Sequence, residues 1–142
     1  MNNHEMADLQ LAEYLGRNEI GVFDDGGRPV GSGPLIVAGM LPPDPHSAIG
    51  IVGPWQDDIY EENAVIRLMV VVRGEPWDLT GPRLIANRIY NLLHERQNIH
   101  LTAEQEVLLC RRIAKDAPAQ DENRRYIRVD TYSMRMAAPT NV

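Results

Sequence analysis

The chain of 142 residues has one cysteine, few aromatic side chains and no long apolar run. The single Cys110 excludes an intramolecular disulfide bond and a cysteine-rich metal site. No apolar stretch approaches the roughly 20 residues of a membrane-spanning helix, and residues 1–8 lack the basic and apolar regions of a secretory signal. We therefore expect one globular domain over 1–142 without a membrane partner, with a core at about 6–136 and a flexible tail at 137–142.

Positive charge is scarce in the first half of the chain. Residues 1–71 carry a net charge of −8 and residues 72–142 a net charge of +2, which together give −6. Because neither half is strongly basic, a general nucleic-acid-binding function is not expected. Lys115 is the only lysine, and the other 13 basic residues are arginines, whose planar guanidinium suits ion pairs at interfaces. This asymmetry fits contacts between copies or partners.

The sequence also lacks a recognisable catalytic motif. It contains no nucleophile elbow, phosphate-binding loop or dinucleotide fingerprint, and its four histidines lack the paired spacing of a zinc helix. The acidic group Asp57, Asp58, Glu61 and Glu62 could supply oxygen ligands to a metal, but it lacks the ligand spacing of a calcium loop. We therefore predict a non-enzyme without cofactor or metal. The alternative is a small metal-dependent hydrolase that uses this acidic group.

The segment Ala64–Gly74 predicts a long central strand. At the strand period of two, the alternate residues from Ala64 to Val72 form a wholly apolar face, which helices or a second layer must cover. The opposite face mixes apolar side chains with Arg67, Met69 and Arg73. We expect this half-buried face to be completed by a neighbouring subunit.

The remaining patterns predict an α/β (α+β) domain with a mostly antiparallel or mixed sheet of about four to five strands and helices on one face. Helices are expected at 4–15 and at 81–97, the second capped by Thr80. Strands are expected at 20–23, 34–38, 48–52, 64–73, 107–114 and 126–136, with 48–52 antiparallel to 64–73. An acidic loop is expected at 54–63, Cys110 is expected to be buried, and a bulge near Asp130 would reconcile the two apolar phases of the last strand.

Two tryptophans flank the long strand, and each follows a proline. Trp55 and Trp77 are interpreted first as packing anchors over the ends of the core, and second as contacts for a partner protein.

The order of these segments resembles the tail terminator proteins of long-tailed bacteriophages, also called minor capsid or head-tail joining proteins. The residues that carry the resemblance are Tyr14-Leu-Gly16, Pro42-Pro-Asp-Pro45, the strand 66–72 with Arg73-Gly74, the helix 84–93, and the segment 121–129. None is a strict signature by itself.

The resemblance implies a structural virion protein, assembled in the host cytoplasm, that forms a hexameric ring on the head-proximal end of the tail tube. Such a ring stops tube polymerisation and provides the surface on which the head docks. Its implied partners are other copies of itself, the tail tube protein and a head-completion (neck) protein, while DNA passes through the lumen without sequence-specific binding. Another neck protein, such as a head-closure or adaptor protein, is the alternative assignment.

A ring needs two different, matching patches on each subunit. For the subunit interface we predict Arg67, Met69 and Arg73, facing acidic loop residues of the next copy. Charge alone suggests that the acidic surface of the lumen comprises Asp57, Asp58, Glu61 and Glu62, or Asp24 and Asp25.

Overall fold

The computed structural model describes residues 4–24, 33–59 and 64–138. Within these ranges it contains two α-helices, α1 (Ala7–Arg17) and α2 (Thr80–Leu93), and a 3-10 turn at His4–Met6 precedes α1. The strands are β1 (Val22–Phe23), β2 (Leu35–Ala38), β3 (Ala48–Ile59), β4 (Ala64–Pro76), β5 (Arg96–His100), β6 (Glu106–Lys115), β7 (Ala119–Gln120) and β8 (Arg125–Met136). The α+β class is confirmed, but the sheet is larger than the four to five strands predicted.

All of these strands belong to one mixed sheet. Its order is β1-β2-β3-β4-β8-β6-β5, and β7 pairs separately with β8. The pairs β1·β2 and β2·β3 are parallel, and all the other pairs are antiparallel. The predicted antiparallel pairing of 48–52 with 64–73 is confirmed. The region 54–59, predicted as part of an acidic loop, instead continues β3 to Ile59.

The apolar face of β4 lies at the centre of the core. Ala64, Ile66, Leu68, Val70 and Val72 are each at most 5% exposed, and most of them join one hydrophobic cluster with residues of both helices. Since burial of a Val, Leu or Ile side chain contributes about 1.5–3 kcal/mol, this strand is a main source of stability. The predicted cover of this face by helices is therefore confirmed.

Each helix buries a narrow stripe of side chains against the sheet. In α1 the buried residues are Ala7, Leu11, Ala12 and Leu15, while Met6 is 48% exposed. In α2 they are Pro82, Ala86, Ile89 and Leu93, while Leu84 is 58% exposed. Small residues allow α2 to approach the sheet, since a Cβ on Gly74 of β4 would lie 2.6 Å from Cγ of Pro82.

Both ends of α2 differ from the prediction. The Gly81 N–H donates to Asp78 Oδ1 at 2.9 Å, so Asp78 satisfies the first turn in place of Thr80. At the other end α2 stops at Leu93, and Glu95 adopts a left-handed conformation with φ of 58°. Residues 96–97, predicted as helix, belong to β5, where Arg96 pairs with Cys110. The ladder with β6 thus overrides a locally helix-compatible sequence.

The predicted bulge near Asp130 is wrong. The pairing of β8 with β4 runs without a shift from Met136 to Ile127, and every second residue of β8 from Arg128 to Met136 is buried. The apparent change of phase arises because Arg128 and Asp130, two charged residues, continue the buried face. The irregularities lie in β6, between Val107 and Leu109 and between Arg112 and Ala114.

Candidate functional site

The candidate site is the face of the sheet opposite the helices. We call it the open face and define it by Trp55 of β3, Val65, Arg67 and Met69 of β4, Arg111 of β6, and Ser133 and Arg135 of β8. These residues lie together because β4 and β8 pair in phase and their odd-numbered residues share a face.

A single cross-strand row runs through the open face. Trp55 is the register partner of Arg67, Arg67 of Ser133, and Ser133 of Arg111. Arg67 and Arg111 are exposed, and Trp55 is 47% exposed. Directly opposed side chains in a sheet lie about 4.5–5.5 Å apart at Cβ, so the row is continuous. Tryptophan and arginine are the residue types most enriched at the centres of protein interfaces.

The other end of the same face is covered by the loop at 39–47, which we call the proline loop. A Cβ on Gly50 would come within 2.8 Å of the Gly39 carbonyl oxygen, so the loop crosses β3 in close contact. Arg73 of β4 lies beneath it. Its Nε donates to the carbonyl oxygen of His46 at 2.9 Å, and its Nη2 donates to those of Pro42 and Pro45 at 2.6 and 2.7 Å.

A second arginine holds the proline loop from β8. Arg125 Nη1 donates to the Pro43 carbonyl oxygen at 2.8 Å, and Arg125 Nε donates to Asp121 Oδ2, also at 2.8 Å. Arg125 is 6% exposed and Arg73 is 4% exposed. We call these two residues the arginine clamp. Since proline carbonyls have no helix or sheet partner here, the clamp satisfies acceptors that burial would otherwise leave unpaired.

The proline loop separates Arg73 from Arg67 and Met69, with which the sequence grouped it. Arg73 shares the face of Arg67 and Met69, but the proline loop buries it within the subunit. Burial lowers the pKa of Arg73, and the nearby positive charge of Arg125 lowers it further. We therefore remove Arg73 from the predicted subunit interface, where Arg67 and Met69 remain.

The two tryptophans are not core anchors, which corrects the first interpretation. Trp77 is 70% exposed and adopts a left-handed φ of 67°, a rare conformation for a bulky residue. Its N–H donates to the Arg124 carbonyl oxygen at 2.8 Å, and the Arg124 guanidinium carbon lies 5.5 Å from the centre of its ring. An exposed aromatic ring held in a strained backbone favours the second interpretation, contact with a partner.

The acidic residues predicted for the lumen are only partly placed. Asp24 follows β1, and its N–H donates to the Ile36 carbonyl oxygen at 2.9 Å. Asp57 and Asp58 belong to β3, and Asp58 pairs with Val65. Asp25, Glu61 and Glu62 lie outside the described residues.

A charged cluster between the sheet and α2 was not predicted. Asp130, 2% exposed, accepts from Nε and Nη2 of Arg128 at 3.1 and 3.3 Å and from Nη1 of Arg112 at 3.4 Å. Arg112 also lies 4.0 Å from the centre of the Tyr90 ring, and its N–H donates to His94 Nδ1 at 3.0 Å. The signal that could have found this cluster is the unbroken alternation of β8, in which Arg128 and Asp130 take buried positions.

The prediction that Cys110 is buried on a strand is confirmed. It is fully buried in β6, and burial raises the pKa of its thiol to about 12. Thiolate formation is therefore suppressed at neutral pH, which argues against a nucleophilic function. Tyr132, also fully buried, has its pKa raised first by burial and then by the charge of Asp130.

Two further properties concern metals and membranes. Over 4–24, 33–59 and 64–138, no three histidine, cysteine, aspartate or glutamate side chains come together as a metal ion would require. In the same ranges, neither helix has the length and apolar character of a membrane span.

No protein-family model matches the chain, and no curated protein matches it. Among solved structures, the chain is similar in fold to a chain described as "Virion of native gene transfer agent (GTA) particle", with a TM-score of 0.58 and 11% sequence identity. The superposition covers 72% of this chain and 78% of the other. At that identity the likeness concerns the fold.

Proposed function

We propose that this chain is a structural virion protein of a phage-like particle, and more specifically a tail terminator of a long-tailed phage. The observation that carries the proposal is the fold shared with a chain of a gene transfer agent virion, over roughly three quarters of both chains. The resemblance in the order of sequence segments supports the narrower assignment. In this function the chain caps the head-proximal end of the tail tube as a hexameric ring and catalyses no reaction.

The open face supports an assembly function through its composition. It combines an exposed tryptophan, exposed arginines and a half-buried methionine on one face of the sheet. Such residues, on a sheet surface backed by a packed core, favour a preorganised contact over a small-molecule pocket. We propose that Trp55, Arg67 and Met69 form one side of the contact between neighbouring subunits.

The described fold changes how the two sides of that contact are assigned. Arg67 and the acidic residue Asp58 lie at the same end of the same β3–β4 hairpin, since Asp58 pairs with Val65 and Trp55 pairs with Arg67. Their backbones therefore lie close together within one subunit. A head-to-tail ring contact joins two different patches, so the open face needs a partner surface elsewhere on the next copy.

The proposal for the lumen still includes Asp24, Asp25, Asp57, Asp58, Glu61 and Glu62. An acidic lining would repel the phosphate backbone, so that DNA could pass without being retained. Neutralising the β3 pair with Asp57→Asn and Asp58→Asn is expected to slow DNA ejection from assembled particles. Unchanged ejection kinetics would place the lumen elsewhere.

Electron microscopy of lysates from a phage that lacks this gene tests the proposed function. Overlong, headless tubes beside DNA-filled heads are expected for a missing terminator. Tails of normal length beside separate or emptied heads would assign the chain to the head side of the neck. Intact virions would refute the structural function.

Charge reversal tests the open face within that function. We expect Arg67→Glu to abolish ring formation on purified tail tubes while its circular dichroism stays that of wild type, because Arg67 is exposed. Arg96→Glu, a reversal at another exposed arginine on β5, is the matched control and should assemble normally. Equal assembly by both variants would remove the open face from the interface.

A further inference from the structure

A second exposed tryptophan lies at the far end of the sheet from the open face. Trp77 is 70% exposed, and Leu79, two residues later in the turn between β4 and α2, is 37% exposed. The turn that leads into β8 is joined to this one by the hydrogen bond from the Trp77 N–H to the Arg124 carbonyl oxygen. We call the two segments, residues 75–79 and 121–124, the tryptophan patch.

Both segments of the tryptophan patch are ordered by hydrogen bonds of their own. The Asp78 N–H donates to the Glu75 carbonyl oxygen at 3.1 Å, and the Arg124 N–H donates to the Asp121 carbonyl oxygen at 3.1 Å. The Arg124 guanidinium carbon lies 5.5 Å from the centre of the Trp77 ring. Because the backbone beneath the indole is already ordered, a contact through Trp77 would cost little further conformational entropy.

The tryptophan patch is acidic. Its four carboxylates and one cation belong to Glu75, Asp78, Asp121, Glu122 and Arg124. Within the subunit, Asp121 is neutralised by Arg125, whose Nε lies 2.8 Å from Oδ2. Glu75 and Glu122 are exposed, and neither forms an ion pair with a cation in the part of the chain that the structure describes. The patch therefore presents an indole together with two carboxylates.

The open face carries the opposite charge. The charged residues that define it are Arg67, Arg111 and Arg135, and all three are exposed. Arg111 lies 3.7 Å from Glu95, but both side chains are more than half exposed, and such a pair contributes under about 1 kcal/mol. Arginine binds carboxylates through two parallel hydrogen bonds and also stacks on aromatic rings. An indole flanked by carboxylates therefore matches the open face in charge and in chemistry.

The two surfaces cannot meet within one subunit. Both include residues of β4, whose pairing with β8 fixes their separation, since Arg67 pairs with Ser133 and Pro76 pairs with Arg125. The distance along β4 from Arg67 to Pro76 is roughly 30 Å at about 3.3 Å per residue. A contact between the tryptophan patch and the open face therefore joins two copies of the chain.

We infer that the tryptophan patch of one subunit docks on the open face of a second copy of this chain. The inference rests on the proposed ring function and names the partner surface that the open face requires. In this contact the carboxylates of Glu75 and Glu122 pair with arginines of the open face, and the Trp77 indole lies against a guanidinium. Because the two surfaces differ and lie at opposite ends of the sheet, the contact is heterologous and can close into a ring.

A charge swap tests this contact. The patch variant combines Glu75→Arg with Glu122→Arg, and the face variant combines Arg67→Glu with Arg135→Glu. In sedimentation experiments each variant alone should self-associate roughly tenfold more weakly than wild type, or weaker still, because like charges then meet at every contact. An equal mixture of the two should regain the wild-type affinity, because each contact again joins opposite charges.

Two charge reversals outside both surfaces are the matched controls. Glu104→Arg lies between β5 and β6, and Arg96→Glu lies on β5, both at exposed positions. Both controls should self-associate as wild type does. All variants should keep the circular dichroism of wild type, because every substituted side chain is exposed.

Photo-cross-linking locates the contact without relying on charge. Trp77 is replaced by p-benzoylphenylalanine in ¹⁵N-labelled protein, which is mixed with unlabelled wild type and irradiated. The joined peptides are identified by mass spectrometry. We expect mixed-isotope links from the peptide that contains position 77 to the β4 peptide that contains Met69.

Several results would overturn the inference. These are a wild-type chain that stays monomeric up to its solubility limit, mixed variants that associate as weakly as each alone, or controls that weaken association equally. Links from position 77 to α1, to β5 or to position 77 of the second copy would also overturn it. Failure here leaves the tail terminator function intact, since that function is tested separately by the length of tails in lysates.

Discussion

Because Arg73 is half of the arginine clamp, we expect its substitution to lower the stability of the fold. The substitution Arg73→Met keeps an aliphatic side chain of similar length on β4 and removes the guanidinium. Three hydrogen bonds to the proline loop are lost, those to the carbonyl oxygens of Pro42, Pro45 and His46. Arg67→Met is the matched control, because Arg67 lies on the same strand and the same face but is exposed.

The magnitude follows from two opposing effects. Hydrogen bonds from a charged donor contribute about 1.5–3 kcal/mol each, while removing a buried charge recovers part of its desolvation cost. The proline carbonyls also regain water where the loop opens. We therefore expect Arg73→Met to lower the free energy of unfolding by about 2–4 kcal/mol, and Arg67→Met to lower it by less than about 0.5 kcal/mol.

Thermal unfolding measures this difference. For 142 residues, an unfolding entropy of about 2.1 cal/mol/K per residue gives roughly 0.3 kcal/mol/K for the whole chain. A loss of about 2–4 kcal/mol therefore lowers Tm by about 7–13 °C. Hydrogen exchange should show faster exchange at 39–47 in Arg73→Met and unchanged exchange there in Arg67→Met.

Two outcomes would refute the reasoning. If Arg73→Met unfolds at the same Tm as wild type, the hydrogen bonds to the proline loop make no net contribution to the free energy of unfolding. If Arg67→Met costs as much as Arg73→Met, then burial beneath the loop is not what distinguishes the two arginines, and the division of the sheet face into a covered end and an open end is wrong.

Three further predictions concern other parts of the molecule. The left-handed backbone of Trp77 costs roughly 1 kcal/mol, and Trp77→Gly removes that cost. Chemical denaturation of Trp77→Gly should therefore show a change in the free energy of unfolding of under about 1 kcal/mol, while partner binding falls. Trp77→Ala keeps the strained backbone and should be the less stable of the two variants. Asp130→Asn leaves two guanidiniums without their carboxylate and should cost about 3–5 kcal/mol in denaturant, whereas Asp116→Asn should cost under about 0.5 kcal/mol. Burial lowers the pKa of His4. Between its ordinary pKa and the lower folded value, the unfolded state binds more protons than the folded state, so the free energy of unfolding falls as pH falls through that window. His4→Gln should therefore reduce the acid-induced drop in Tm, and a pH profile identical to that of wild type would contradict this.

Local pattern was sufficient where one residue and its near neighbours decide the structure. The alternation in β4 identified its buried face. Cys110 was correctly predicted as a buried strand residue because its surroundings are apolar. In each case the hydrophobic effect acts on a side chain whose direction the local backbone already fixes.

The candidate site depended on contacts between distant parts of the chain. The sequence placed Arg67, Met69 and Arg73 on one face, but only the folding back of the proline loop buried Arg73, across 27 to 31 residues. The exposure of Trp55 and Trp77 could not be read from their apolar character, because it depends on whether another segment covers them.

The sequence by itself determined which side chains share a face, because strand and helix periodicity follow from backbone geometry alone. The tertiary structure decided what covers each face. Arg125 reaches Pro43 across 82 residues, and Arg73 and Arg125 together hold a loop whose carbonyls would otherwise lack partners. In the sequence, the charged residues Arg128 and Asp130 interrupt the alternation of apolar side chains in β8, so the buried face seems to change sides. Only the packing of α2 over β8 buries this ion pair and shows that the face continues.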